Sequence, residues 1–207
     1  MVGILFIADT HGSLKNATVK WEMLSNAQGA DAIVCLGDIY LNELQKIKEI
    51  ADERKIPVYG IHGNHKPMSF LEKTGITNIH ASGCKVGDVR IAGLGGCPTY
   101  KADSGKLDLC MLTEEQAMEI AGNLPEADIL ISHSPYKMKS SNVIHSGLKG
   151  ISWYLKNHNP KWHFYAHLHN RDQKIHQFGF LKNRICKSFC IYEAAFNTDT
   201  EELEYLF

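Results

Sequence analysis

Five times along this chain an apolar run stops abruptly on polar residues. "VGILFIA" runs into Asp9, Thr10 and His11; "DAIVCLGD" ends on Gly37 and Asp38; "IPVYGIHGNH" ends on Gly63, Asn64 and His65; "ADILISHSP" reaches His133; and "KWHFYAHLH" closes on His167 and His169. Runs that are apolar on both faces suit central parallel strands covered from both sides. Between the first two runs Leu14, Ala17, Thr18, Trp21 and Leu24 recur at helical spacing, and Leu41, Leu44, Ile47 and Ala51 do so between the second and third. The N-terminal part therefore reads β-α-β-α-β. An unpaired amide or imidazole away from water costs roughly 1 to 3 kcal/mol, so something must hold the polar endings. In parallel sheets ligands bind at the carboxyl ends of the strands, and the five endings are expected to face one site. If the backbone stays extended there, Asp9 and His11 point to one side together, as do His167 and His169.

Further along, "CKVGDVRIAGLGG" predicts a hairpin turning at Gly87 and Asp88, followed by a glycine-rich loop from Gly95 to about Gly105. Thr113 and Gln116 form a capping box for a helix through Ile120 and Leu124. A further helix is expected over Leu148, Ile151 and Leu155, and two β runs, Gln173 to Phe178 and Arg184 to Tyr192, close the chain. Nothing in the sequence reads as a linker or repeat. Residues 1–207 suffice for one sizeable core, so the chain is expected to be a single α/β domain with helices over the strands.

Lys plus Arg is 22 and Asp plus Glu is 23, a net charge of -1, which provides no global field toward nucleic acid or anionic lipid. Any anion recognition must be local. The first ten residues have no basic segment and reach Asp9 too soon for a signal peptide or a spanning helix, which gives a cytoplasmic expectation with no membrane partner. Cys35, Cys84, Cys97, Cys110, Cys186 and Cys190 form no CxxC pair and read as reduced thiols. The donors at the strand ends are carboxylate, imidazole and amide, without a thiolate, a set that favours manganese, iron or zinc over copper(I) or an iron-sulfur cluster.

In this order, D-x-H, G-D, G-N-H, H and H-x-H, the chain resembles the calcineurin-like metallophosphoesterase superfamily over about residues 4 to 170. The resemblance implies two face-to-face mixed β-sheets flanked by helices. It implies two divalent ions, manganese first with iron or zinc as alternatives: one on Asp9, His11 and His169, the other on Asn64, His133 and His167, with Asp38 bridging both. The implied function is hydrolysis of a small phosphodiester, a cyclic nucleotide among the options, or of a phosphomonoester, by a metal-bridging hydroxide. His65 and Asp38 are the implied catalytic residues, His65 as general acid. The alternatives are a nuclease acting on DNA or RNA and a non-catalytic protein-binding scaffold of the same fold. A complete ligand set favours the enzyme, and the lack of a basic run disfavours nucleic acid as partner.

The chain departs from the family pattern in places. "IYLNE" follows Gly37-Asp38 where phosphoprotein phosphatases continue Asp-Arg-Gly; Lys66 stands where an acidic residue usually follows G-N-H; and Ala166 replaces a glycine. Lys66 is positioned to meet either the substrate phosphate or solvent. His62, His80, His145, His158, His163 and His176 read as core or surface residues, His62 with a possible place behind the ligands. Trp153, Tyr154 and Leu155 read as helix packing, and Lys137, Lys139 and Arg171 as solvated charges, Arg171 with some access to substrate.

Overall fold

The computed structural model describes residues 2–12, 30–65, 69–100, 110–140, 142–168, 175–180, 184–190, 193–201 and 203–205. The expected helix over Leu14 to Leu24 lies outside them. In chain order the elements are β1 (Gly3–Ile7), β2 (Ala32–Cys35), α1 (Leu41–Glu53), β3 (Val58–Gly60), α2 (Ser69–Thr74), β4 (Thr77–Asn78), β5 (Ser82–Val86), β6 (Val89–Leu94) and β7 (Cys97–Pro98). They continue with β8 (Met111–Leu112), α3 (Glu114–Asn123), β9 (Ile129–Ser132), a 3-10 turn (Ile144–Ser146), α4 (Lys149–His158), β10 (Trp162–Tyr165), β11 (Ile175–Phe180), β12 (Arg184–Cys190), β13 (Glu193–Asn197) and β14 (Leu203–Tyr205).

Two six-stranded mixed sheets result. The first has the order β14-β13-β1-β2-β3-β4, with β1 to β4 parallel and β13 antiparallel to both β1 and β14. The second has the order β11-β12-β10-β9-β6-β5, in which β6, β9, β10 and β12 are parallel. The period-two alternation of each strand builds the layers. Ile4 and Phe6 of β1 point between the sheets, into a core with Val34, Ile61, Ile91, Ile129, Ile131 and Phe164. The rings of Phe6 and Phe164 stack across that core with centroids 4.3 Å apart. Leu5 and Ile7 point the other way, onto Leu44, Ile47 and Ala51 of α1. Leu94 and Leu130 of the second sheet meet Ala117 and Ala121 of α3 and Ile151, Tyr154 and Leu155 of α4. The fold is thus the expected pair of facing mixed sheets flanked by helices, and Tyr154 and Leu155 are helix packing as anticipated.

Several elements follow the sequence closely. The β5–β6 hairpin turns at Gly87 and Asp88, with Val86 opposite Val89. Thr113 Oγ1 accepts the Gln116 N–H at 3.2 Å while Gln116 Oε1 accepts the Thr113 N–H at 2.9 Å, completing the capping box of α3. Two expectations need correction. The stretch expected to be loop from Gly95 holds β7, which pairs in parallel with β8 in a small separate sheet; residues 101–109 of that stretch lie outside the described ones. The chain is closed not by the runs around β11 and β12 but by β13 and β14, which finish the first sheet on the free edge of β1. No helix among the described residues is long and apolar enough to cross a membrane.

Candidate metal centre

Every described residue of the proposed ligand set sits just past the carboxyl end of a strand: Asp9 and His11 after β1, Asp38 after β2, Asn64 after β3, His133 after β9 and His167 after β10. The first three strands belong to one sheet and the last two to the other, so the site spans the top of both. The loops are cross-tied by backbone. The Asp9 N–H donates to the Gly37 carbonyl and the His11 N–H to the Asp38 carbonyl, each at 3.1 Å. Asp9 Oδ2 accepts the His167 N–H at 2.7 Å, tying the first sheet to the second.

Convergence does not come from an extended backbone, as the sequence suggested. Asp9, His11, Asp38 and His167 all take positive φ, at 50°, 44°, 53° and 72°. The chain has left the strand and turned left-handed, a conformation that costs non-glycine residues of order 1 to 3 kcal/mol each and persists only where surroundings enforce it. Glycines make the close approach possible. A Cβ on Gly63 would stand 2.2 Å from Asp38 Oδ1, and one on Gly37 would stand 2.3 Å from the Gly63 nitrogen.

Among the described residues two groups of potential metal-ligating atoms come together, each within 4.8 Å: Asp9, His11 and Asp38 form one, and Asp38, His133 and His167 the other. Asp38 is common to both. Its Oδ1 accepts the His65 N–H at 2.9 Å, while its buried Oδ2 makes no well-formed hydrogen bond and lies 3.3 Å from His133 Nε2. The imidazoles are oriented from behind. His133 Nδ1–H donates to the Leu36 carbonyl at 2.8 Å, which leaves Nε2 facing Asn64 Oδ1 at 3.0 Å. His167 Nε2–H donates to the Ile144 carbonyl at 3.0 Å, and its buried Nδ1 has no hydrogen-bond partner. Backbone carbonyls thus fix both tautomers with a lone pair turned inward, the arrangement that metal-bound histidine requires. The donor set fits divalent cations of intermediate hardness.

The charges respond to one another. Burial pushes the Asp38 carboxyl upward, but the close charge of His133 and the His65 N–H outweigh it and hold the group below the usual carboxylate range. Burial lowers His133, yet Asp38 and then Asp9 carry it to about 9. His167 goes the other way, down to about 3, chiefly through burial and the neighbouring His133.

His65 is exposed and packs edge-on against His11, ring centroids 5.3 Å apart, outside both converging groups. His169, Lys66 and Arg171 lie outside the described residues. Three residues near the site carried no role in the sequence. Glu43 is buried, and its Oε2 accepts the Thr10 hydroxyl at 2.7 Å, the Tyr40 N–H at 2.9 Å and the Gly12 N–H at 3.1 Å; its place on the Glu43, Ile47, Ala51 face of α1 was the available signal. Lys137 is no solvated charge: its Nζ binds Glu114 Oε1 at 2.8 Å, Ser146 Oγ at 3.0 Å and the Gly147 carbonyl at 3.3 Å. His145 packs edge-on against His167, centroids 5.2 Å apart. Both lie on or beside an irregular loop, where spacing gives no signal.

No curated protein matches the sequence. Among solved structures, one is similar with TM-score 0.68 at 13% identity, covering 98% of this chain and 97% of its own. TT1561 of Thermus thermophilus is similar with TM-score 0.61 at 17% identity, covering 98% of this chain and 97% of its own. Phosphopantetheinyl hydrolase from Mycobacterium tuberculosis is similar with TM-score 0.55 at 11% identity, covering 91% of this chain and 89% of its own. These likenesses concern the fold. Family membership rests on the sequence, which fits the description of the calcineurin-like phosphoesterases over residues 2–171, the span that holds every candidate ligand, and the chain belongs to that family.

Proposed function

We propose that this chain hydrolyses small phosphate esters at a pair of divalent cations, one on Asp9, His11 and His169 and the other on Asn64, His133 and His167, with Asp38 shared. The observation that carries the reading is the presence of Asp38 in both converging groups. Two such cations polarise the phosphoryl oxygens and lower the pKa of the attacking water. Two carboxylates, Asp9 and Asp38, only half neutralise two divalent ions, so the site attracts phosphate although the whole chain is at -1. Asp38 is placed for its task by the His65 N–H on one oxygen, which leaves the other turned toward both groups. His65 itself lies outside the groups and is exposed, which suits a general acid that gives a proton to the leaving oxygen.

A small diester or monoester is the favoured substrate, since no excess of positive charge is available to track a nucleic-acid backbone. Manganese is the first choice of metal on the basis of the thiolate-free donor set. Four free cysteines among the described residues, Cys35, Cys84, Cys97 and Cys110, support a reducing, cytoplasmic place of action. The test is a panel of bis-aryl phosphate, aryl monophosphate, cyclic nucleotides and single-stranded DNA, with chelated and manganese-loaded protein. Metal-dependent turnover of a small ester, above that of DNA, is expected. Preference for DNA would make the chain a nuclease, and no turnover of any member would leave the scaffold reading.

A further inference from the structure

We propose that His145 is a second substrate-contacting histidine, donating a hydrogen bond to a phosphoryl oxygen at the end of the site opposite His65. The inference rests on the phosphoesterase reading and deepens it. The two ends of the centre are built alike. At one end His65 packs edge-on against the ligand His11 at 5.3 Å and 74°; at the other His145 packs edge-on against the ligand His167 at 5.2 Å and 81°. Neither His65 nor His145 belongs to the groups whose donor atoms converge. His145 is half-buried whereas His133 and His167 are buried, so its ring is the most accessible to a ligand of the three.

The position of His145 is enforced. Ile144 next to it accepts His167 Nε2–H through its carbonyl. The following residues are fastened by Lys137, whose Nζ reaches Ser146 Oγ, the Gly147 carbonyl and Glu114 Oε1. Glu114 Oε2 in turn accepts the Lys149 N–H at the start of α4 at 2.8 Å. A phosphoryl group held at the proposed cation pair would have oxygens beside the ligand histidines, and the His145 ring, its centroid 5.2 Å from that of His167, is a neighbour that could donate to one of them. Hydrogen bonds to a charged oxygen are among the stronger ones, worth about 10- to 100-fold in affinity.

The test measures inorganic phosphate binding by calorimetry to manganese-loaded wild type, His145→Ala and His145→Gln, with metal content determined on each. Both variants are expected to keep the wild-type metal content. His145→Ala should bind phosphate about 10- to 100-fold more weakly, and His145→Gln, which retains a donor, should recover part of the loss. Wild-type affinity in His145→Ala, or loss of metal from it, overturns the inference while leaving the phosphoesterase reading intact. Wild type that holds metal and binds no phosphate overturns both.

Discussion

At Asp38 and His65 neighbouring residues divide the work. The His65 N–H holds one oxygen of Asp38 while the His65 ring stands beside His11, so the proposed general-acid role of the ring can be separated from what the backbone does for Asp38. His65→Ala keeps the backbone donor and removes only the ring. It should retain its metals and lose about 10²- to 10⁴-fold in rate on esters with alkoxide leaving groups. On nitrophenyl esters, whose leaving oxygen is stable as an anion, the loss should shrink markedly. Equal losses on both substrate types would remove the general-acid role. That Asp9, His11, Asp38, Asn64, His133 and His167 come together was legible from the sequence because the carboxyl ends of parallel strands point one way. His145 and Lys137 were not, because their placement depends on an irregular loop closing through Ser146, Gly147 and Glu114, contacts without a sequence period.

Among the elements, α1 does more than cover the first sheet. Glu43 in its first turn caps the helix through the Tyr40 N–H and reaches back to hold Thr10 and Gly12, the residues on either side of His11. One carboxylate oxygen therefore joins a helix start to the loop after β1 that carries Asp9 and His11. Glu43→Gln replaces charge-assisted bonds by neutral ones and should lower stability by about 1 to 2 kcal/mol, read from urea denaturation. The variant should also surrender metal to chelator at lower concentrations than wild type. Unchanged stability and retention would show that α1 caps itself and nothing more. The parallel core strands were readable as long apolar runs, whereas β13 and β14 were missed. They are short, "EAAFN" and "LEY", and become strands by pairing with the free edge of β1, a tertiary cause that local propensity does not record.

At the scale of the molecule, the two large sheets and the described helices over them stack as layers with the candidate site past their strand ends, and stability should carry the mark of the histidines buried beneath. His163 on β10 is fully buried, with Nε2 at 2.8 Å from Ser132 Oγ, and burial lowers it to about 3 from an ordinary 6.5. Between those values the unfolded chain takes up a proton that the folded chain refuses, so stability falls as the pH falls through that window, by about 1.4 kcal/mol per pH unit from this group. From pH 7 to 5 chelated wild type should therefore lose about 2 kcal/mol more than chelated His163→Leu. Equal losses would mean that His163 titrates normally in the folded protein. Asp38 is proposed to belong to two cation sites at once, and metal stoichiometry tests this most directly. After loading with manganese and exhaustive dialysis, elemental analysis should find two ions per chain in wild type and one or none in Asp38→Ala. Two ions retained by Asp38→Ala, or a single ion in wild type, would contradict it.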